Sequence, residues 1–420
     1  MCYNTLQLKF NGEQNNMKLI LRERYLRELG EVRGTPDIKV ITGVRRSGKS
    51  KLMEAFAEQV KSQNPSANII HINLMFPENE VFLEYHALYD HVNSHYAPGR
   101  ENIVLIDEVQ LCNGFEKAII GLHTSEKFDI YITGSNAFLL SSDLATLFTG
   151  RAFRIEVYPF SFAEFCQYHE IADTQTALDR YILEGGMSGS YVYKNETQRH
   201  SYLRDIYQTL ILRDIVQKYN IRKPALIERV SAFLMDNISN PTSARGITQG
   251  AASEAPASNA TVTAYIKYLC NAYAFYRVEK FDVRGKKHLT SHEKYYLCDH
   301  SFRHALLGTR NMDYGRVLEN IVALELLRRG YEVYTGSLYK KEIDFVAIRQ
   351  SEKIYFQVAS DISSQDTLAR ELAPLQAIHD GYQKVLLART RTPEYDKDGI
   401  KVIDVAEWLR GWRPRLEGGN

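Results

Sequence analysis

The chain has 420 residues, 44% of them hydrophobic and 25% charged, with a formal net charge of +1; that is length for about two to four domains with cores needing no covalent staples. So balanced a charge supplies no global attraction for nucleic acid, and any such role must come from local patches. The five cysteines, Cys2, Cys112, Cys166, Cys270 and Cys298, lack Cys-x-x-Cys spacing, which argues against a disulfide framework, a zinc ribbon or a dithiol redox centre.

Residues 1–16, "MCYNTLQLKFNGEQNN", are polar and unpatterned, and lack the basic, apolar and small-residue order of a signal peptide. They read as an extension, with Met17 as a second candidate start. No run of about 18 apolar residues occurs, so the expectation is a cytoplasmic chain with no membrane partner. From Met17, "MKLILRERYLREL" predicts a short strand and a helix.

Next comes "IKVIT", a buried strand by composition, followed by "GVRRSGKS" and then by a helical pattern with Leu52, Met53, Phe56 and Val60 on one face. The loop matches G-x-x-x-x-G-K-[ST], the P-loop, formed by Gly43, Val44, Arg45, Arg46, Ser47, Gly48, Lys49 and Ser50. The residue types suit a phosphate. Glycines let backbone N–H groups turn toward the anion, and the helix that follows presents its positive end to it. Lys49 is placed to reach the β and γ phosphates and Ser50 to ligate Mg²⁺, so ATP and Mg²⁺ are the expected ligands.

A Mg-nucleotide site requires an acidic residue at the end of a neighbouring strand. "NIVLIDEVQ" provides Asp107 for the metal, through its waters, and Glu108 to polarise the attacking water. The strand-like run "NIIHINL" lies between the two motifs, and "FDIYITGSN" follows with Thr133, Ser135 and Asn136 placed to contact the γ-phosphate or the water. "AFRIEVYPF" reads as a further strand.

Taken together, GVRRSGKS, LIDEVQ, ITGSN and TGRAFRIEVYPFSFAEF resemble the AAA+ ATPases of bacteria and archaea that are fused to a C-terminal domain of unknown function. The resemblance implies an α/β P-loop core over 17–160 and a helical lid over 161–221. It also implies a homo-oligomer in which an arginine contacts the γ-phosphate across a subunit interface, and Arg151 is the candidate. Gly185, Gly186, Met187 and Ser188 stand where the family has Gly-Gly-aromatic-Pro. In the lid pattern Leu203, Ile206, Tyr207, Leu210 and Ile211 share a face. Arg204 and Arg213, each followed by an aspartate, fit lid arginines or a solvated helix face.

Residues 222–304 read as helices around a Pro/Ser/Ala-rich stretch, then two strands joined by "RGKK". This order suggests a winged-helix-like module, which either places a helix in the DNA major groove or docks on protein, with Arg284, Lys286 and Lys287 on its wing. Cys298 and His300 lack further ligands for a metal. Residues 305–420 resemble the PD-(D/E)XK nuclease fold, which implies a second metal site at Glu319 and Asp344. The third motif position departs from the pattern: Gln357, Val358 and Ala359 replace the third acid by a neutral amide and lose the lysine, which predicts weak or no cleavage. Lys340 and Lys341 are the nearby substitutes for that lysine.

Three functional classes follow: an ATPase associated with double-stranded DNA, an ATP-gated metal-dependent nuclease, and a nucleotide-switched ATPase whose partner is a protein.

Overall fold

The computed structural model describes residues 18–134, 148, 150–251, 258–285, 287–308, 313–339 and 341–411, with side chains for all of these except 212, 213, 251 and 287–292. The expected N-terminal extension, Ser135, Asn136, Lys286 and Lys340 lie outside the described residues, as do the side chains of Arg213 and Lys287.

The first layer is a five-stranded sheet in the order β2-β3-β4-β1-β5, formed by β1 (Ile38–Thr42), β2 (Asn68–Asn73), β3 (Asn102–Asp107), β4 (Asp129–Thr133) and β5 (Ala152–Glu156). Every pairing is parallel, with Asn73 opposite Asp107 and Ile41 opposite Thr133. Parallel strands need crossovers, and helices fill both faces. Alternation along the strands sorts the side chains. Ile41, Ile103 and Leu105 pack under α1 (Glu23–Glu31) and α2 (Lys49–Gln63), while Ile38, Val40, Val104 and Ile106 face α3 (Tyr85–Ser94) and α4 (Phe115–Thr124). With both faces covered, β1 and β3 are buried at every residue, which is why they read as continuous apolar runs.

The strand expected from Met17 does not form. Residues 18–22 carry no strand, and the helix begins at Glu23.

After β5 come α5 (Phe162–His169), opened by a capping box between Ser161 and Glu164, then α6 (Thr174–Glu184) and α7 (Glu196–Thr209). The last of these runs on as a π-helical stretch, Leu210–Gln217. Gly185 and Gly186 sit in a tight junction: a Cβ on Gly185 would meet Asp299 Oδ1 at 2.2 Å, and one on Gly186 would meet the Phe160 carbonyl at 2.3 Å. Three helices follow, α8 (Pro224–Asp236), α9 (Ala244–Ala251) and α10 (Asn259–Asn271), each packed on the other two. Helix α9 falls inside the stretch that composition marked as Pro/Ser/Ala-rich.

The expected hairpin is β6 (Phe275–Asp282) and β7 (Lys287–Leu297), and it does not stand apart. Strand β6 pairs in parallel with β8 (Glu332–Leu338), so the hairpin is one edge of an eight-stranded mixed sheet, β12-β13-β11-β10-β9-β8-β6-β7. The sheet is completed by β9 (Lys341–Arg349), β10 (Glu352–Ala359), β11 (Gln383–Ala388), β12 (Tyr395–Lys397) and β13 (Ile400–Asp404). After α11 (Ser301–Leu307), α12 (Tyr314–Arg328) and α14 (Val405–Gly411) cover one face, and α13 (Gln365–Gln376) covers the other. The core under α12 continues into the middle helices: Phe165, Leu203 and Leu234 share one apolar cluster with Val322, Phe345 and Trp408.

Among the described residues, no helix is long and apolar enough to cross a membrane.

Candidate nucleotide site

The carboxyl ends of β1 to β4 converge at one edge of the parallel sheet, where open α/β sheets place their ligands. The loop from 43 to 48 leaves β1 there and enters α2. Three of its residues have positive φ: Gly43 at 139°, Arg46 at 65° and Gly48 at 95°. Gly43 is required for space as well, because a Cβ there would lie 2.1 Å from the Val157 carbonyl oxygen. Val44 is buried in the same apolar cluster as the middle helices, tying the loop to them.

Lys49 is 6% exposed, and its Nζ donates to the carbonyls of Gly43 and Val44, each at 3.1 Å. Burial pulls its ammonium below the ordinary lysine value, against the opposing charges of Glu108, Asp107 and Asp214. The Ser47 hydroxyl is buried with no hydrogen-bond partner. A cradle whose glycine Cβ would collide with backbone, an orphaned hydroxyl and a desolvated cation together fit a phosphate chain.

Across from the loop, the carboxylate of Asp107, 1% exposed, accepts from the Thr133 hydroxyl through Oδ1 and from Asn73 Nδ2 at 3.1 Å through Oδ2. The Glu108 N–H donates to Thr133 Oγ1 at 3.0 Å, so one threonine joins both acidic residues. Glu108 has φ 56°, and its Oε2 accepts from Gln110 Nε2 at 2.5 Å. The residues fit Mg²⁺: Ser50, half-buried at the start of α2, and Asp107 offer the oxygen set that a nucleotide-bound ion takes.

Three long-range contacts hold the loop. Arg45 reaches Asp214 of the π-helical stretch, Nη1 to Oδ1 at 3.5 Å. Thr42, the last residue of β1, bonds the hydroxyl of Tyr273 at 3.1 Å. Arg22 donates to the Ser47 carbonyl at 3.0 Å and to the Tyr158 carbonyl at 2.9 Å, while pairing with Glu164 through Nε at 2.7 Å and Nη2 at 2.9 Å. Arg22 is 5% exposed. Burial alone would raise the Glu164 carboxyl; the Arg22 charge and its hydrogen bonds hold it below the ordinary range instead. Replacing Arg22 by methionine leaves that carboxylate without its partner, and we expect a loss of about 3–5 kcal/mol in urea unfolding. The double variant with Glu164→Leu should recover most of it.

One end of the same sheet carries a second, half-buried acid. Glu156 pairs with Thr42 across β5 and β1, and accepts from the Tyr276 hydroxyl at 2.5 Å. Burial pushes its carboxyl up to about 7, against hydrogen bonds from Tyr276, Tyr158 and Tyr273. The folded value lies above the unfolded one, so the folded state binds the proton more tightly, and stability falls as pH rises from about 4.5 to about 7. Glu156→Gln should therefore flatten the fall in melting temperature over that window and raise stability at pH 8, measured by thermal melts at fixed ionic strength.

Of the residues expected from sequence, the loop residues, Asp107, Glu108 and Thr133 come together. Arg151 does not join them. It is exposed and its carbonyl accepts from the N–H of Ile38, at the opposite end of β1 and about 16 Å of strand from the loop. Glu319 and Asp344 do approach one another, but with the Lys294 ammonium between them, 2.9 Å from Glu319 and 4.0 Å from Asp344. Two carboxylates that already hold a cation do not fit a metal pair. Lys341 points elsewhere, to the Ala373 carbonyl at 3.0 Å. Asn73, Asp214, Arg22 and Tyr273 were not legible as site residues. Only Asp214 had a local signal, as the acid after Arg213, and that signal equally marks a solvated face.

The match to an AAA domain (AAA_14) covers residues 35–166, and a domain of unknown function, DUF8612, matches residues 175–313. An uncharacterized protein of Haemophilus influenzae is 36% identical over 397 residues, 93% of this chain and 98% of that protein. The uncharacterized protein MJ1544 of Methanocaldococcus jannaschii is 25% identical over 408 residues, 93% of this chain and 90% of that one. Among solved structures, the Aeropyrum pernix ORC1 protein in complex with DNA superposes with a TM-score of 0.30 at 13% identity, over 74% of this chain and 95% of that one. By its similarity to the Haemophilus influenzae protein along nearly the whole of both, the chain belongs to that protein's family, and in this chain an AAA domain is followed by DUF8612.

Proposed function

We propose that the chain binds ATP with Mg²⁺ in the loop from 43 to 50 and hydrolyses it, and that nucleotide occupancy is passed to the middle helices and the second sheet. The observation that carries this reading is the meeting of a desolvated Lys49 with the Asp107–Thr133–Glu108 chain at one sheet edge. In this reading the loop N–H groups hold the β-phosphate, and Lys49 exchanges its two loop carbonyls for phosphate oxygens. Ser50 and, through water, Asp107 would hold the magnesium ion, which supplies charge neutralisation at the β and γ oxygens. Asn73 and Thr133 fix the Asp107 carboxylate. Glu108 takes the proton of the attacking water.

The route outward uses contacts already formed. Tyr273, just before β6, and Tyr276, on it, touch Thr42 and Glu156 at the ends of β1 and β5. Asp214 holds Arg45 from the π-helical stretch, a geometry often found at functional sites. A γ-phosphate competes with Asp214 for Arg45, which frees or reorients that helix. In this reading Arg151, far from its own loop, acts on a second copy.

Steady-state ATP turnover of the full chain, with and without duplex DNA, tests this. Magnesium-dependent turnover is expected, and a chain that neither binds nor turns over ATP overturns the reading. A rise with duplex DNA assigns DNA as the partner, in keeping with exposed Arg284 at the β6–β7 turn. Turnover indifferent to DNA assigns the switch to a protein partner.

A further inference from the structure

The second sheet holds an ion cluster that the nucleotide reading does not use. Lys294 projects from β7 with 2% of its side chain exposed. Its Nζ lies 2.9 Å from Glu319 Oε1 on α12, 2.7 Å from Glu342 Oε1 on β9 and 4.0 Å from Asp344 Oδ1 on the same strand. Glu319 and Asp344 are further anchored. Tyr296 donates to Glu319 Oε1 at 2.7 Å, and the Val358 N–H donates to Asp344 Oδ2 at 2.8 Å. Asn320, next to Glu319, clamps β7 through both its amide atoms, to the Leu297 N–H at 2.7 Å and carbonyl at 2.9 Å. The strand that carries the lysine is therefore fixed against the helix that carries the glutamate.

These are the carboxylates that a PD-(D/E)XK resemblance would give to a divalent metal. A metal would need oxygens at about 2.0–2.2 Å from several carboxylates at once. An ammonium already occupies the space between them, within hydrogen-bond distance of Glu319 and Glu342. A divalent cation placed beside that ammonium would meet a like charge in a partly desolvated site and be repelled. The third motif position adds nothing to a metal: Gln357 accepts from the Asp344 N–H at 3.4 Å and donates to Glu371 at 3.4 Å. Among the described residues, no group of three or more His, Cys, Asp or Glu side chains is arranged to hold a metal ion.

We propose that the Lys294 ammonium is the resident cation of this cluster, standing in the place of a divalent metal and tying β7 to α12 and β9. The electrostatics agree. Burial works against the charge on Lys294, yet Glu319, Asp344 and Glu342 raise its pKa above the ordinary lysine value. The lysine came from outside the motif, about 50 residues upstream of Asp344 in the chain, so its function as the missing cation depends wholly on the hairpin's pairing into this sheet.

The test is manganese uptake by the nucleotide-free full chain, followed by water-proton relaxation and by thermal melts. The natural chain should show no uptake that Asp344→Asn removes, and no metal-dependent rise in melting temperature. Uptake lost on Asp344→Asn overturns the proposal without any change at Lys294. Lys294→Met should melt several degrees lower, take up manganese that the natural chain does not, and regain its melting temperature with the metal. The added change Asp344→Asn should abolish that gain. A folded Lys294→Met protein that takes up no manganese also overturns the proposal. Lys294→Arg, which keeps a cation in place, should remain as unresponsive to manganese as the natural chain.

Discussion

Glu108→Gln is expected to lower ATP turnover by about 10²–10⁴-fold while leaving ATP bound. The amide keeps the shape of the carboxylate but cannot take a proton from water. The supporting geometry survives the change, because the contact that positions residue 108 is a backbone one, its N–H to Thr133 Oγ1 at 3.0 Å. The left-handed backbone at φ 56° is likewise indifferent to glutamate or glutamine. Single-turnover hydrolysis and equilibrium binding of a fluorescent ATP analogue separate the two effects. A variant that binds and hydrolyses as the natural chain does removes Glu108 from the chemistry.

Lys49→Ala should weaken ATP binding by at least about 10²-fold, because charge-assisted hydrogen bonds to the phosphates are lost together with their donor. The nucleotide-free protein should not lose stability in step. Among the described residues Lys49 hydrogen-bonds only two loop carbonyls, and burial outweighs the pull of Glu108, Asp107 and Asp214 on its charge, so deleting the ammonium removes a desolvation cost along with two hydrogen bonds. Melting temperature without nucleotide is therefore the control: close to the natural chain, it assigns the lost affinity to the phosphate contact. A melting temperature that drops sharply would instead make Lys49 a fold residue. Isothermal titration with ATP and magnesium gives the affinity directly, and unchanged affinity would place the phosphates elsewhere.

The two variants also divide the work between neighbouring features. Lys49→Ala stops the cycle before occupancy and Glu108→Gln stops it after, so only the second accumulates the bound state. If Asp214 yields Arg45 to the γ-phosphate, proteolytic sensitivity of the segment around Leu210–Gln217 should change with ATP in Glu108→Gln and stay fixed in Lys49→Ala.

The sequence by itself determined the phosphate loop, the two acids after β3 and the parallel sheet that carries them. The reason is locality. A glycine that must take φ 139°, a lysine six residues on and an apolar run before them lie within one strand-loop-helix unit, so their chemistry is written in consecutive residues. Burial on both faces gives β1 and β3 unbroken apolar runs, which is equally a local signature. Tertiary structure alone decided what surrounds that unit. Arg22 reaches the loop carbonyl from 25 residues away and Glu164 from 142, and Tyr273 reaches Thr42 across 231 residues. A solvated arginine and a buried one have the same letter, and only packing separates them. The same holds for Lys294. Nothing in "HEKYYL" marks a lysine that stands in for a metal; pairing of β6 with β8 puts it there, because one strand register fixes every side chain on the sheet to its face and depth.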